Sequence, residues 1–153
     1  MKNNVIRWIV IILPVLAVAG LGTLFVNLGM DWFNSLTKPA EWIPNFVIPV
    51  VWTIIYISFI IILLLWSKYE KIPQSIITLL IANGILNVLW CLIFFTLSQL
   101  FIGNVFIVFN LVAGFWLILE IKKFKPTYAS ILLIYPIWLC LATTLNNALW
   151  ILN

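Results

Sequence analysis

The sequence predicts an all-α fold, a bundle of five transmembrane helices that forms a single membrane domain over residues 1–153. Three observations lead to this fold class. Of the residues, 65% are hydrophobic and only 8% are charged, whereas globular domains carry about a quarter charged residues. The charges gather in short clusters that separate long apolar runs. Each run reaches about 20 residues and lacks the two-residue alternation of a membrane β-strand.

The first apolar run follows Lys2 and Arg7 and continues to Gly29. Its length suits a helix that crosses the hydrocarbon core. A cleavable signal peptide with a small-residue site near Ala19 is the alternative. We favour a span, because the apolar run continues well past Ala19.

The segment between the first two spans, residues 30–44, is rich in tryptophan and proline. It contains Trp32 and Trp42, and Pro39 and Pro44. Because proline fixes φ and removes a backbone donor, the two prolines are expected to stiffen the segment. We interpret it as a lid over the mouth of the bundle. An interfacial loop with its rings in the lipid headgroups is the alternative.

The middle of the chain holds two spans in one charge-free stretch. From Ile72 to Leu119 there are 48 residues without a charge. At about 1.5 Å per residue, one helix of that length would be more than twice the roughly 30 Å hydrocarbon thickness. Turn-forming residues between Thr96 and Asn104 predict the reversal there. The five spans are therefore predicted over residues 5–29, 45–66, 73–95, 103–121 and 128–152.

The basic residues predict the orientation. With five spans, seven of the eight Lys and Arg residues fall on the side of the N-terminus, and Lys38 alone falls opposite. The positive-inside rule then predicts a multi-pass protein of the cell membrane with its N-terminus in the cytoplasm and its C-terminus outside. Cations in short loops, rather than along one face, argue against nucleic acid as a partner. The seven are Lys2, Arg7, Lys68, Lys71, Lys122, Lys123 and Lys125.

The composition removes several kinds of chemistry. There is no histidine, so catalytic triads and imidazole metal ligands are excluded. Cys91 and Cys140 are expected to be small buried packing groups rather than a metal or redox pair. We predict no metal site and no cofactor. The four acids lie at span edges or in loops, which argues against carboxylate-based proton transport; they are Asp31, Glu41, Glu70 and Glu120.

Amide and aromatic side chains recur at helical spacing in three spans. An amide in hydrocarbon costs free energy unless another helix, a cavity or a ligand satisfies it. In one interpretation Asn87 and Asn146 join helices by hydrogen bonds. Terminal tryptophans, among them Trp150, then form an interfacial belt, which we expect for Trp8 and Trp66. In the other, the stripes line one ligand pocket. The stripes are Trp52, Tyr56 and Phe59; Asn83, Asn87 and Trp90; and Trp138, Ala142, Asn146 and Trp150.

Several motifs in order resemble a known family. The run Leu36–Pro44 (LTKPAEWIP) and the following Pro49–Tyr56 (PVVWTIIY) resemble the signature of the translocator proteins. This family is also called the tryptophan-rich sensory proteins or peripheral-type benzodiazepine receptors. Leu86–Trp90 and Trp138–Asn146 resemble its third and fifth helices. The resemblance covers nearly the whole chain from the first span onward.

The resemblance implies an integral membrane receptor, commonly a homodimer, with a pocket under the first loop. Such proteins bind porphyrins, notably protoporphyrin IX, and isoquinoline carboxamide or benzodiazepine-type drugs, with possible roles in transport or stress sensing. By motif the pocket would be closed by Pro39 and Trp42. Its lining would include Trp52, Tyr56, Asn87, Trp90, Trp138, Ala142 and Asn146.

Two alternatives to a receptor stay open. The resemblance also implies an enzyme that degrades protoporphyrin IX with light and oxygen, in which Trp52 and Trp138 would be the reactive or positioning indoles. A structural bundle without a ligand is the other alternative. Cholesterol binding is doubtful, because residues 145–153 lack the Tyr and Arg of the cholesterol motif proposed for animal members.

Overall fold

The chain folds as an all-helical bundle with five helical spans, as predicted. The computed structural model describes residues 2–40 and 42–153, and Glu41 of the family-like run lies outside the described residues. Five helices or helix pairs are long and apolar enough to cross a membrane. The elements are α1 (Lys2–Leu28), α2 (Met30–Ser35), α3 (Val47–Tyr69), α4 (Gln74–Cys91), a π-helical turn (Leu92–Thr96), α5 (Leu100–Phe124), α6 (Pro126–Leu132) and α7 (Ile134–Leu152).

Short elements modify three of the spans. The π-helical turn extends α4 to the end of the third span, and α2 opens the lid segment. The fifth span is divided at Leu133 into α6 and α7. Pro136 has no N–H for the carbonyl of Leu132, four residues earlier, so the helical hydrogen-bond pattern is interrupted at that point.

The spans are arranged as a closed ring. Helix α1 packs against both α3 and α4, α4 packs against α5, and α5 packs against α6 and α7. Contacts of α3 with α6 and α7 complete the circuit. A ring of this kind has an interior toward which one face of every span is turned. The predicted binding residues lie on these faces or in the lid segment.

The two ends of the ring differ in charge. At one end Arg7 and the loop after α3 lie together, and Glu70 of that loop forms an ion pair with Lys125 before α6. At the opposite end, the lid segment meets the C-terminal end of α7 through Thr37 and Asn153. The basic loops therefore lie at one end of the bundle. The sequence analysis placed these loops on one side of the membrane.

The reversal between the third and fourth spans is tighter than predicted. Only residues 97–99 separate the π-helical turn from α5, whereas the sequence suggested Thr96 to Asn104. Ser98 takes the left-handed conformation, with φ of 56°, so a single residue makes the sharp turn. Gly103 and Asn104 are instead buried inside α5, where the missing side chain of Gly103 makes room for the ring of Phe94.

Two expectations about burial were wrong. Trp66 does not belong to an interfacial belt: it is 1% exposed and packs against Phe124 and Tyr128 in the core. Cys140 is exposed on the outer surface of α7, and only Cys91 is buried. In both cases the side of the helix on which the residue lies determines whether it is buried. The sequence does not indicate that side, because these helices carry apolar residues all around. Trp8 is 55% exposed, and its place in a belt stays a prediction.

Candidate functional site

The lid segment is folded onto the end of the bundle. The backbone N–H of Trp42 donates to the carbonyl of Pro39 at 3.2 Å, and its indole N–H donates to Asn45 Oδ1 at 3.2 Å. The ring of Trp42 lies 5.9 Å from that of Phe33 on α2. Lys38 lies over the ring of Phe33, with its Nζ 4.8 Å from the ring centroid. Pro39 and Trp42 are both partly buried.

A close backbone approach fixes α2 against the third span. Phe33 is 6% exposed and packs on Phe95 with ring centroids 5.2 Å apart. A Cβ atom at Gly29 would overlap the carbonyl of Phe95, so only glycine permits this approach. Thr96 then donates its hydroxyl to the carbonyl of Phe25 at 2.8 Å. The π-helical turn is therefore held directly against the junction of α1 and α2.

Below the lid, aromatic rings from two spans form a continuous wall. Trp52 stacks on Tyr56 of the same helix, with centroids 5.6 Å apart and planes at 25°. Across the interior, Trp52 lies 6.5 Å from Trp90, and Trp90 stacks on Phe94 at 6.1 Å and 27°. We call Trp52, Tyr56, Trp90 and Phe94 the aromatic wall. The ring planes are nearly parallel in two of its three contacts, at 25° and 27°.

The fifth span supplies the opposite side of the interior. Trp138 is 7% exposed and belongs to the cluster against which Trp52 packs. Ala142 packs against the cluster that contains Trp90 and Phe94. Asn146, one turn further, is 5% exposed. Trp138, Ala142 and Asn146 therefore face inward together.

Trp150 leaves this stripe. It is 43% exposed and lies against Phe101, at 5.3 Å between ring centroids. Steps of four residues overshoot a turn of 3.6 residues by about 40° each. Three steps from Trp138 therefore rotate Trp150 to the outside of the ring. The stripe of seven-residue spacing on α4 has no such drift, and Asn83, Asn87 and Trp90 are all buried.

Hydrogen bonds between spans come from other amides than those expected. Asn83 donates to the carbonyl of Ala113 on α5 at 3.2 Å. The Tyr135 hydroxyl lies 3.2 Å from Asn83 Oδ1 and 2.9 Å from Asn110 Oδ1, and donates its hydrogen to one of them at a time. Three spans meet at this network. Asn110, the sole amide between Asn104 and Asn146 in the sequence, is the signal that could have revealed it.

Among the residues that the structure describes, neither Asn87 nor Asn146 makes a hydrogen bond to another span. The hydrogen bond of Asn87 within the described residues is with Cys91 of its own helix, whose thiol lies 4.0 Å from Oδ1. The Nδ2 of Asn146 is buried without a hydrogen-bond partner, as are the indole nitrogens of Trp90 and Trp138. A buried donor without a partner costs about 1–3 kcal/mol. Trp66 Nε1 and Asn110 Nδ2 are also buried without a partner, so such donors are not confined to the predicted site residues.

A cavity of about 1060 Å³ opens within the ring, between α1, α3 and α4. Trp52, Tyr56 and Asn87 line one end of it. Its other end reaches Arg7 and the loop after α3. We call it the inner cavity. It is somewhat larger than the roughly 300–1,000 Å³ typical of small-molecule pockets.

The predicted site residues thus fall into two groups. Trp52, Tyr56 and Asn87 line the inner cavity. The remaining residues do not line it: two belong to the lid segment, Trp90 and Ala142 pack in the cluster of Phe33, Phe94 and Phe95, and Trp138 packs in the other core cluster. Trp52 connects the groups, because it contacts Trp90 and packs against both core clusters. The second group is Pro39, Trp42, Trp90, Trp138, Ala142 and Asn146.

The arrangement offers apolar and aromatic surface with a few polar donors. Among the residues that the structure describes, no three of His, Cys, Asp or Glu lie together as metal ligands would. Cys91 is buried within the second core cluster. The predicted site residues offer aromatic faces for stacking, and amide and indole N–H groups as hydrogen-bond donors.

Comparison with known proteins agrees with the motifs. The family model described as the TspO/MBR family matches residues 10–151. A protein named Tryptophan-rich protein TspO, from Archaeoglobus fulgidus, is 28% identical over 153 residues. That similarity covers 98% of this chain and 99% of the relative.

Proposed function

The chain belongs to the TspO/MBR family, and from that premise we propose that it is an integral membrane receptor for porphyrins. Protoporphyrin IX is the proposed ligand, and isoquinoline carboxamide or benzodiazepine-type compounds would occupy the same site. The observation that carries the proposal is the placement of Trp52 and Tyr56. Their stacked rings border the inner cavity and continue through Trp90 into the interior beneath the lid.

The polar groups of the interior support this choice of ligand. A tetrapyrrole is a flat apolar disc with polar substituents at its edge. Stacking on the aromatic wall buries the disc, while the unpartnered donors of Trp138 and Asn146 are available to its edge. Asn87 brings a further amide to the boundary between the cavity and the wall. An apolar ligand without acceptors would leave these donors unsatisfied.

The lid supports a ligand that enters from the end of the bundle. The contacts of Pro39 and Trp42 are made mainly within the segment and with Phe33. Two exposed hydrogen bonds join Thr37 to Asn153. Segments held by few exposed hydrogen bonds open at low free energy. The lid therefore suits the role of a closing element for the space beneath it.

Light-dependent degradation of bound protoporphyrin is the second candidate. The observation that favours it is the row of oxidisable rings that begins at the cavity, with Tyr56, Trp52 and Trp90 in successive contact. Excited porphyrin transfers energy to oxygen or takes an electron from a nearby indole. The protein would contribute the position of the indoles, and the porphyrin would absorb the light.

A titration separates the two candidates from an empty bundle. Purified protein in detergent is titrated with protoporphyrin IX in the dark, following tryptophan fluorescence and the porphyrin absorption band, and is then illuminated. Saturable quenching without bleaching beyond that of free porphyrin supports the receptor. Bleaching that depends on bound protein supports the enzyme. Linear, non-saturable quenching would contradict both, and would leave the structural bundle.

The proposal includes the membrane topology and the homodimer. The charge difference between the two ends of the ring supports an N-terminus in the cytoplasm. Reporter fusions test it: a C-terminal alkaline phosphatase should be active and a C-terminal fluorescent protein dark. Light scattering of the detergent-solubilised protein tests the dimer. A mass of one chain at all protein concentrations would contradict it.

A further inference from the structure

The inner cavity has a second end, far from the aromatic wall, that the porphyrin proposal does not use. On α4 the lining runs from Gln74 to Asn87, which at about 1.5 Å per residue is roughly 20 Å. Trp52 and Asn87 border one end. The opposite end lies beside the loop after α3. The cavity is therefore elongated along the bundle axis.

Between its two ends the cavity is apolar. Ile11 and Val15 of α1, Phe59 and Leu63 of α3, and Ile77 and Leu80 of α4 contribute the lining there. The cavity is roughly 20 Å long, and an acyl chain of one leaflet extends over about half of the roughly 30 Å hydrocarbon core. The channel is therefore long enough for one acyl chain.

The cavity also reaches the outside of the bundle between α1 and α4. Its lining includes Val10 and Ile81, which are 64% and 58% exposed. Closer to the lid the same two helices meet tightly, since a Cβ at Gly84 would lie 3.0 Å from Val18 Cγ2. The lining also includes Ile85, which is 55% exposed, so the opening runs along α4 past Gly84. In a membrane it faces lipid.

The basic end of the cavity carries an excess of positive charge. Arg7, Lys68 and Lys71 belong to the lining, together with Glu70. The carboxylate of Glu70 is already paired with Lys125, outside the cavity. The Nε of Arg7 is buried and has no hydrogen-bond partner. We call Arg7, Lys68 and Lys71 the cationic mouth.

We propose that this end of the inner cavity binds an anionic phospholipid of the surrounding bilayer. One acyl chain enters between α1 and α4 and lies along the apolar channel. The phosphate is held by the cationic mouth, with Arg7 Nε as a hydrogen-bond donor. Basic pockets between transmembrane helices are general binding places for anionic headgroups. The proposal does not rest on porphyrin binding, which concerns the other end of the cavity.

Native mass spectrometry of the detergent-purified protein tests the headgroup. The probes are phosphatidylglycerol, phosphatidylcholine with the same acyl chains, and oleate. Phosphatidylglycerol should bind at least about tenfold more tightly than phosphatidylcholine, since each basic residue near an anionic lipid contributes substantially. Equal binding of the two phospholipids would overturn the proposal. Preference for oleate over phosphatidylglycerol would overturn it too, in favour of a free fatty acid.

Charge-matched variants localise the site. Lys68→Gln with Lys71→Gln should lower phosphatidylglycerol affinity by about tenfold or more, and Arg7→Gln should lower it independently. The control is Lys122→Gln with Lys123→Gln, which removes the same charge at the same end from residues outside the cavity lining. The control should bind as the parent does. An equal loss in the control would mean attraction by the whole surface and would contradict a site.

Two tryptophan variants, one inside the cavity and one on the outer surface, test the apolar channel. Val15→Trp places a large ring in the cavity and should abolish binding of the acyl chain, whereas Leu16→Trp adds the same ring on the outer surface, where Leu16 is 55% exposed. Both variants should keep the melting temperature of the parent within a few degrees. Parental phosphatidylglycerol binding by Val15→Trp would overturn the placement of the chain.

Discussion

Asn153 holds Thr37 by a pair of hydrogen bonds. The backbone N–H of Thr37 donates to Asn153 Oδ1 at 2.9 Å, and Asn153 Nδ2 donates to the carbonyl of Thr37 at 3.0 Å. The same Nδ2 also lies 2.9 Å from the carbonyl of Leu149 on α7. The amide at the end of α7 thus attaches the middle of the lid segment to the fifth span, the span that also carries Trp138 and Asn146.

We expect Asn153→Ala to release the lid without weakening the bundle. Each exposed hydrogen bond contributes about 0.5–1.5 kcal/mol net, so amide hydrogen exchange in residues 36–46 should become several-fold to tenfold faster. Exchange in α4 and α5 should be unchanged. Asn34→Ala, at an exposed position of α2, is the control. Parental exchange in residues 36–46 of Asn153→Ala would show that the lid is held by its aromatic contacts alone.

Ala142→Phe should prevent ligand binding. Ala142 is the small residue between Trp138 and Asn146 and packs against the cluster of Trp90, so an added ring would overpack this part of the interior and displace the side chains there. Protoporphyrin affinity in the dark should fall by about tenfold or more, with the protein still inserted and helical. Leu141→Phe, on the outer surface, serves as control. Equal affinity of Ala142→Phe and the parent would place the ligand elsewhere.

Two asparagines on the same face of α4 should behave differently. Asn83 bonds to α5 and to Tyr135, so Asn83→Leu should lower the stability of the bundle by about 1–3 kcal/mol. Asn87 does not join spans and lines the cavity, so Asn87→Leu should leave the melting temperature nearly unchanged.

For ligand affinity we expect the opposite order, with the larger loss in Asn87→Leu than in Asn83→Leu. Asn87→Leu should weaken porphyrin binding by about tenfold, equivalent to about 1.4 kcal/mol. Thermal unfolding and dark titration of both variants, measured side by side, check the two rankings. A stability loss in Asn87→Leu with unchanged affinity would return Asn87 to a structural role.

The photochemical candidate predicts a separation between binding and breakdown. Phenylalanine keeps an aromatic face but loses the oxidisable indole. Trp52→Phe and Trp138→Phe should each bind protoporphyrin within a few-fold of the parent and bleach it more slowly, and the double variant should be slowest. Trp116→Phe, at a residue that is 61% exposed on α5, is the control. Parental bleaching in the double variant, at equal bound porphyrin, would eliminate the enzyme and keep the receptor.

The sequence was sufficient for the number of spans but not for the rotation of each. Charge-free length and basic turns predict five helices, because hydrocarbon thickness and the cost of charge leave few alternatives. The rotation of a helix can be predicted only when its two faces differ in polarity. Spans that are apolar on every side show little difference of this kind. Trp66 and Cys140 were misplaced for this reason, and of the two interpretations of Trp150 only the inward stripe was wrong. Asn83, Asn87 and Trp90 were placed correctly, since amides supply the contrast that leucine and isoleucine do not.

The π-helical turn and the inner cavity lay beyond the sequence for a different reason. Both depend on how closely helices approach each other. Gly29 is an ordinary small residue in the sequence, and its role appears only when the carbonyl of Phe95 is found against it. The cavity likewise follows from the ring order, in which α1 separates α3 from α4 near the basic end. Such distances are set by the whole bundle.

The most direct test of the account is a structure of the protein with protoporphyrin IX bound in the dark. We expect the porphyrin plane in van der Waals contact with the indole of Trp52, about 4 Å or less between heavy atoms, beneath Pro39 and Trp42 and beside Trp138. Porphyrin bound outside the ring of helices, or at the cationic mouth of Arg7, Lys68 and Lys71 without contact to Trp52, would contradict the proposed receptor site.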